Sequence, residues 1–217
     1  QNMGMDGTIY YSHAAAQEAQ DFGIRSDKPS FVWPLISEMP DSLIPNVAGE
    51  RRGFALVGRW SYYKGFDIGI DAWQALPDDL RRAHPLEVWH RMGNDKPPFN
   101  DASLIWHPGG YEWQDIAEML SRVAYVLLPY RSASQSGVQL LAQQCGARVI
   151  YTDVPGLREF HAPGDIAVDS VDSRAWTQAL QDAISLPPYV GQPVTFDSRG
   201  FARELAASVD AMQELVQ

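Results

Sequence analysis

The sequence predicts an α/β fold in which one parallel sheet is covered by helices on both faces. Short continuous apolar runs such as Phe54-Ala55-Leu56-Val57 and Val123 to Leu128 lack the alternation of a half-solvated strand, so they read as strands buried on both sides. Between them lie stretches whose apolar residues recur at helical spacing, and strands alternating with helices close into a covered parallel sheet. Gly or Pro marks most of the boundaries, which supplies the punctuation.

Each element follows from the same logic. Ser12 to Phe22 reads as a helix, and a stretch punctuated by Pro29, Pro34, Pro40 and Pro45 follows it. Phe54 to Gly58 is a buried strand, and Gly65 to Leu76 a helix stopped by Pro77. Leu86 to Trp89 is a strand before the loop Gly93 to Pro98; Leu104 to Trp106 is another, closed by Pro108-Gly109-Gly110. A helix from Trp113 to Arg122 leads into the strand that Pro129 ends. Ser136 to Gln144 reads as helix, Arg148 to Tyr151 and Ile166 to Val168 as strands, and Asp172-Ser173 caps a helix reaching Ile184. Gly200 to Val216 closes the chain as an amphipathic helix. Three segments are expected: a connection over 1–50, a sheet domain over 51–190 and a carboxyl-terminal helix over 191–217.

Composition narrows the function. Of 217 residues, 45% are hydrophobic and 20% charged, which describes a folded domain. The net charge of -10 argues against a nucleic-acid partner, because neutralising a phosphate backbone needs clustered cations. A single cysteine, Cys145, excludes an internal disulfide framework and any Cys-based zinc site, and reads as a packed core thiol. The five histidines show no metal-ligand spacing, so no metal is expected. No apolar run approaches the ~20 residues that span a bilayer.

In a parallel sheet, ligands bind at the carboxyl ends of strands, where helix amino termini converge. That singles out three loops. Gly58-Arg59-Trp60-Ser61-Tyr62-Tyr63-Lys64-Gly65 carries two cations that can close on one anion, and a diphosphate matches Arg59 as a planar fork and Lys64 as a mobile point charge. Two solvated loop cations are the plainer alternative. Pro129 to Val138 is rich in hydroxyls, with Ser134 or Ser136 as the N-cap and the amides of Ser136, Gly137 and Val138 able to hold phosphate oxygens. An ordinary capped helix has the same composition. Thr152 to Glu159 carries acid, base and acid in one turn, of which Arg158 and Glu159 can form a simple surface pair.

Read in order, Phe54 to Gly65, Leu86 to Gly93, Leu104 to Gly110, Ala124 to Pro129, Ser134 to Gly146, Ala147 to Ile150 and Pro155 to Glu159 resemble the carboxyl-terminal, donor-binding domain of GT-B-fold retaining glycosyltransferases, the large group 1 family. The Gln-Ser-Gly-Val run at 135–138 is similar to that of one subgroup. The resemblance spans roughly residues 50 to 185 and implies a Rossmann-like sheet and transfer of a sugar from a nucleotide-diphosphate donor, with retention of configuration. Arg59 and Lys64 would be the catalytic cations; Gly58, Ser136, Gly137 and Val138 would hold the diphosphate. His107, Gly109, Gly110 and Tyr111 would flank the nucleobase, with Gln135 and Glu159 on the sugar side.

The resemblance also implies a glycan or lipid-linked acceptor, bound by an amino-terminal domain that this chain lacks and that could associate peripherally with a membrane. No cofactor or metal is implied, because two cations replace one, and a cytoplasmic location is expected. Residues 8 to 36 resemble the end of that first domain and the interdomain connection. The chain departs from the family pattern near Ser134 and near Leu141 or Ala142, where a Glu-x7-Glu pair is usual, and at Pro155 and Arg148. A sugar-nucleotide epimerase and a noncatalytic nucleotide-sugar-binding or scaffold domain share the fold and remain alternatives. A flavodoxin-like response module shares the sheet, but the acidic phosphorylation cluster it needs is not evident.

Overall fold

The computed structural model describes residues 8–24, 30–33, 39–45, 49–91, 96–187, 189–191, 193–194 and 206–207. The loop expected at Gly93 to Pro98 lies partly outside them. So does nearly all of the helix expected from Gly200 to Val216, of which 206–207 are helical.

Ten strands and seven α-helices are described. In chain order they are β1 (Thr8–Tyr10), α1 (His13–Asp21), β2 (Ser30–Val32), β3 (Glu50–Arg51), β4 (Phe54–Arg59), α2 (Phe66–Gln74), α3 (Asp78–Ala83), β5 (Leu86–Arg91) and β6 (Leu104–Pro108). There follow α4 (Trp113–Arg122), β7 (Tyr125–Leu128), α5 (Gly137–Gln144), β8 (Arg148–Thr152), α6 (Pro155–Arg158), β9 (Ile166–Val168), α7 (Ser173–Ser185) and β10 (Tyr189–Val190).

Six strands form one wholly parallel sheet in the order β6-β5-β4-β7-β8-β9. The Rossmann-like α/β expectation holds. The apolar run explains it, because consecutive residues of β4 serve opposite faces. Phe54 and Leu56 pack with Phe66, Ile70 and Trp73 of α2 and with Trp176 and Leu180 of α7. Ala55 and Val57 pack with Ile116, Met119 and Leu120 of α4 and with Leu141 of α5. Each fully buried leucine such as Leu56 contributes roughly 1.5–3 kcal/mol.

Local chemistry sets the helix ends. Ser12 caps α1 by accepting from the Ala15 amide at 2.9 Å. Glu112 and Asp115 form a reciprocal capping box at α4. Asp172 accepts from the Arg174 amide at 2.8 Å to open α7.

Four details differ from the sequence expectation, the first being the short helix α3 directly after Pro77, which the sequence reading did not include. β6 runs on through His107 to Pro108, because residues 104–108 pair in parallel with 86–90 and Pro108 sits at the end of an edge strand, where its missing amide is tolerated. The turn at Pro155 is a short helix, α6, with proline at its start. The pairing of β3 with β10 and of β1 with β2 went unseen, since runs of two or three residues carry no period.

Candidate functional site

Strand order reverses between β4 and β7. The chain leaves β4 toward β5 on one side and returns through β7 on the other, so the loops that follow these two strands part over the sheet edge. The loop at 60–65 and the loop at 129–136 face each other there.

Contact between them is close. Gly65 takes a left-handed φ of 60°, and a Cβ at that position would run into the Pro129 carbonyl. Gly58, with φ of 131°, leaves room for the Lys64 chain, whose Nζ would lie 3.2 Å from a Cβ at residue 58. The Arg131 amide donates to the Tyr63 carbonyl at 2.8 Å, and the Arg131 guanidinium donates to the Tyr62 carbonyl at 2.7 Å. The same guanidinium grips Asp67 at 3.0 and 2.7 Å and stacks 4.1 Å from the centre of the Tyr62 ring.

Lys64 is thereby turned toward α5. Its ammonium donates to the Tyr130 hydroxyl at 2.8 Å and lies 4.6 Å from that ring's centre. Ser136, buried at the N-cap of α5, donates to the same hydroxyl at 3.5 Å and accepts from the Gln139 amide at 3.4 Å. Burial chiefly lowers the Lys64 pKa, and the charge of Arg59 lowers it further. Burial pushes the Tyr130 phenol up to about 12, so it stays protonated and available to accept from Lys64.

Arg59 is exposed at the end of β4. Among the described residues, neither Arg59 nor Lys64 forms an ion pair with a carboxylate, whereas Arg81, Arg122, Arg131 and Arg158 all do. Lys64, through Tyr130, therefore adjoins the first turn of α5, where Gly137 and Val138 have amides with no intrahelical partner, and Arg59 is near enough to Lys64 to act on its charge. The arrangement can hold a compact dianion or trianion. Among the described residues, no group of three or more His, Cys, Asp or Glu side chains could hold a metal ion.

The nucleobase-side expectations divide. Gly109 and Gly110 are exposed beyond β6 with open space around them. The Tyr111 carbonyl accepts from the Arg91 guanidinium at 2.9 Å, and the guanidinium lies 4.6 Å from its ring centre. Both residues line a cleft of about 270 Å³ with Glu112 and Trp113. His107 does not join them. Its ring stacks on Trp89 at 3.6 Å, and its Nε2 lies 3.8 Å from a Glu87 carboxylate oxygen near the start of β5. Strand pairing places His107 within β6, opposite Trp89. Burial, the larger influence, lowers its pKa against the opposing pull of Glu87.

Glu159 has a partner that the sequence did not suggest. Its carboxylate accepts from the amides of His13 at 2.9 Å and Ala14 at 3.1 Å, while Ser12 donates to the Ser134 carbonyl. The first two bonds dock α1 against the end of α6, and the third ties it to the β7–α5 loop. Arg158 pairs instead with Asp153 at 2.6 Å. Gln135 lines the cleft between α1 and that loop. Cys145 is buried 3.6 Å from the Met39 sulfur, and burial raises its pKa to about 11, which fits a packed thiol.

Sequence reasoning gave no role to Tyr130, Arg131 or Asp67. Tyr130 and Arg131 follow Pro129 directly, but nothing local announces that their partners lie 64 to 69 positions away. Of the aromatic residues near the loops, Trp60 and Trp106 pack with His90, at 5.5 and 4.8 Å between ring centres. Tyr62, Tyr63 and Trp113 are exposed.

Comparison with known proteins adds the family. The model for glycosyl transferases group 1 matches residues 51–185. No curated protein sequence matches the chain. Among solved structures, a sucrose-phosphate synthase from Thermosynechococcus elongatus is 16% identical at a TM-score of 0.64, covering 84% of this chain and 50% of its own. WaaG, a glycosyltransferase involved in lipopolysaccharide biosynthesis, is 19% identical at 0.63, covering 82% and 53%. Anabaena Alr3699/HepE, solved in complex with UDP and glucose, is 15% identical at 0.60, covering 82% and 53%. The chain spans about half the length of these structures and shares their fold.

Proposed function

Because this chain belongs to the glycosyl transferases group 1 family, we propose that it binds a nucleotide-diphosphate sugar and serves retaining transfer of that sugar to a glycan or lipid-linked acceptor. One observation carries the reading: Lys64, which forms no carboxylate ion pair among the described residues, is held 2.8 Å from the Tyr130 hydroxyl that Ser136, the N-cap of α5, also contacts, and the charge of Arg59 is felt at Lys64. A diphosphate between them has its charge met by both cations and by the amides of Gly137 and Val138.

The chemistry follows from charge. As the glycosidic bond to the diphosphate breaks, negative charge grows on the leaving oxygen, and fixed donors stabilise it most where water is thinned. A departing phosphate oxygen takes the acceptor hydroxyl's proton on the face it leaves, which preserves configuration. With two cations at the diphosphate, no metal is needed. Gly109, Gly110 and Tyr111 border the base. That Alr3699/HepE was solved with UDP and glucose supports a nucleotide and a sugar as ligands on this fold. Acceptor binding by a further domain, peripheral contact with a membrane and a cytoplasmic site of action belong to the same proposal. No helix among the described residues is long and apolar enough to cross a membrane.

Calorimetric titration with UDP and GDP tests it. One of them binds the wild type, and the Arg59→Ala, Lys64→Ala double variant loses the signal. Unchanged binding in that variant removes the diphosphate assignment.

A further inference from the structure

Consecutive residues after β7 meet consecutive residues of the facing loop in reverse order. The Pro129 carbonyl closes on Gly65, the Tyr130 hydroxyl accepts from the Lys64 ammonium at 2.8 Å, and the Arg131 amide donates to the Tyr63 carbonyl at 2.8 Å. Tyr130 therefore stands opposite Lys64 on a backbone fixed at both neighbouring positions.

A buried tyrosine beside a lysine has a plain explanation, in which the phenol needs a partner and the lysine supplies it. The surroundings of Lys64 argue for the reverse dependence. A lysine ordinarily extends its ammonium into water. Lys64 is instead half-buried, with its pKa lowered chiefly by that burial, and forms no ion pair with a carboxylate among the described residues. Its chain runs across Gly58, where a Cβ would come within 3.2 Å of Nζ, and the ring centres of Tyr130 and Tyr63 lie 4.6 and 5.8 Å from Nζ. Among the described residues the Tyr130 hydroxyl is its hydrogen-bond acceptor, which leaves the ammonium's other N–H bonds uncommitted. The same hydroxyl lies 3.5 Å from Ser136 Oγ at the N-cap of α5, so one phenol spans from the cationic loop to the helix start.

We infer that Tyr130 is a positioning residue for Lys64: its hydroxyl, set against the N-cap of α5, holds the ammonium beside the open amides and leaves its remaining N–H bonds for a diphosphate. The inference rests on the diphosphate reading above, and Tyr130 acts through Lys64. Without the hydroxyl, the ammonium loses an acceptor that favours its charged form, and the chain is free to extend into water. The Arg59 charge, which lowers the Lys64 pKa, and the Tyr63 phenol, which raises it, stay in place.

The experiment is calorimetric titration with UDP, or with GDP where UDP does not bind, on the wild type, Tyr130→Phe, Lys64→Ala and the double variant. Phenylalanine keeps the ring and removes the acceptor. Tyr130→Phe should weaken the nucleotide about three- to tenfold at neutral pH, and the pH at which binding falls away should move down by about half a pH unit or more. In the Lys64→Ala background the same change should cost less than about twofold, because nothing is left to position. Wild-type affinity in Tyr130→Phe, equal losses in both backgrounds, or an unmoved pH profile overturns the inference while the diphosphate site stands. The chain has three lysines, so Lys64 can also be followed by NMR in the wild type, which decides the matter if Tyr130→Phe does not fold. Its ε-methylene should keep nuclear Overhauser contact with the Tyr130 ring when the nucleotide is added, and loss of that contact on loading overturns the inference. If neither UDP nor GDP binds the wild type, both readings fall.

Discussion

The Pro129 carbonyl occupies the space that a side chain at Gly65 would need, and Gly65 holds a φ of 60°. Alanine there meets both a backbone clash and a left-handed conformation. We expect Gly65→Ala to cost about 2–4 kcal/mol of stability in denaturant titration, and to abolish nucleoside diphosphate binding. For the stability measurement alone, Gly110→Ala, in open space outside the left-handed region, serves as the near-neutral control.

Lys64 makes diphosphate binding pH-dependent. Its pKa in the free protein lies below the ordinary lysine range, chiefly through burial. A bound diphosphate favours the charged form, so binding takes up protons and weakens as pH rises through that lowered value. Affinity should fall by up to about tenfold per pH unit there, beginning earlier than an exposed lysine would allow. Lys64→Ala should show a flat profile over the same range. The sign for folding is opposite. The unfolded chain holds the Lys64 proton more tightly, so this residue's contribution to stability rises with pH between its folded and unfolded values.

Much of this could be read from the amino-acid order. Phe54 to Gly65 announces a buried strand, a cationic loop and a helix, because each signal is local: apolar continuity, two cations and a glycine. What the order could not convey is pairing across distance. His107 looked like a loop residue until register with Trp89 drew it into β6. Glu159 looked like half of a surface pair, yet its partners are backbone amides 146 and 145 positions away, which have no side-chain signature.

The docking of α1 through Glu159 gives a third prediction. Glu159→Ala removes acceptors from the amides of His13 and Ala14, and loss of such a cap costs about 0.5–2 kcal/mol. Hydrogen exchange over residues 13–15 should accelerate correspondingly, while exchange in β4 and β7 stays unchanged. Uniform acceleration across the sheet would show that Glu159 supports global stability instead of the docking of one helix.

A buried ion pair supplies the fourth. Arg122 grips Glu87 bidentately at 2.8 and 2.7 Å, and Glu87 is almost wholly buried. Arg122→Met leaves that carboxylate with the Trp89 indole N–H, 3.0 Å away, but without its charge partner, and we expect a loss of about 2–3 kcal/mol, reduced from the fully buried case because Arg122 is half-exposed. The same change removes a cation that lowers the His107 pKa and leaves Glu87 beside it, so the His107 pKa should rise when followed by NMR.

Arg131 ties both facing loops into one body by holding the carbonyls of Tyr62 and Tyr63 together with Asp67. A ligand arriving there finds its donors already arranged, so little backbone freedom remains to be surrendered on association. Binding at this site should therefore resemble a key entering a fixed lock, with fast, single-step kinetics and a small entropic penalty. Larger motions of the molecule, where they occur, would carry this pair of loops along as a unit.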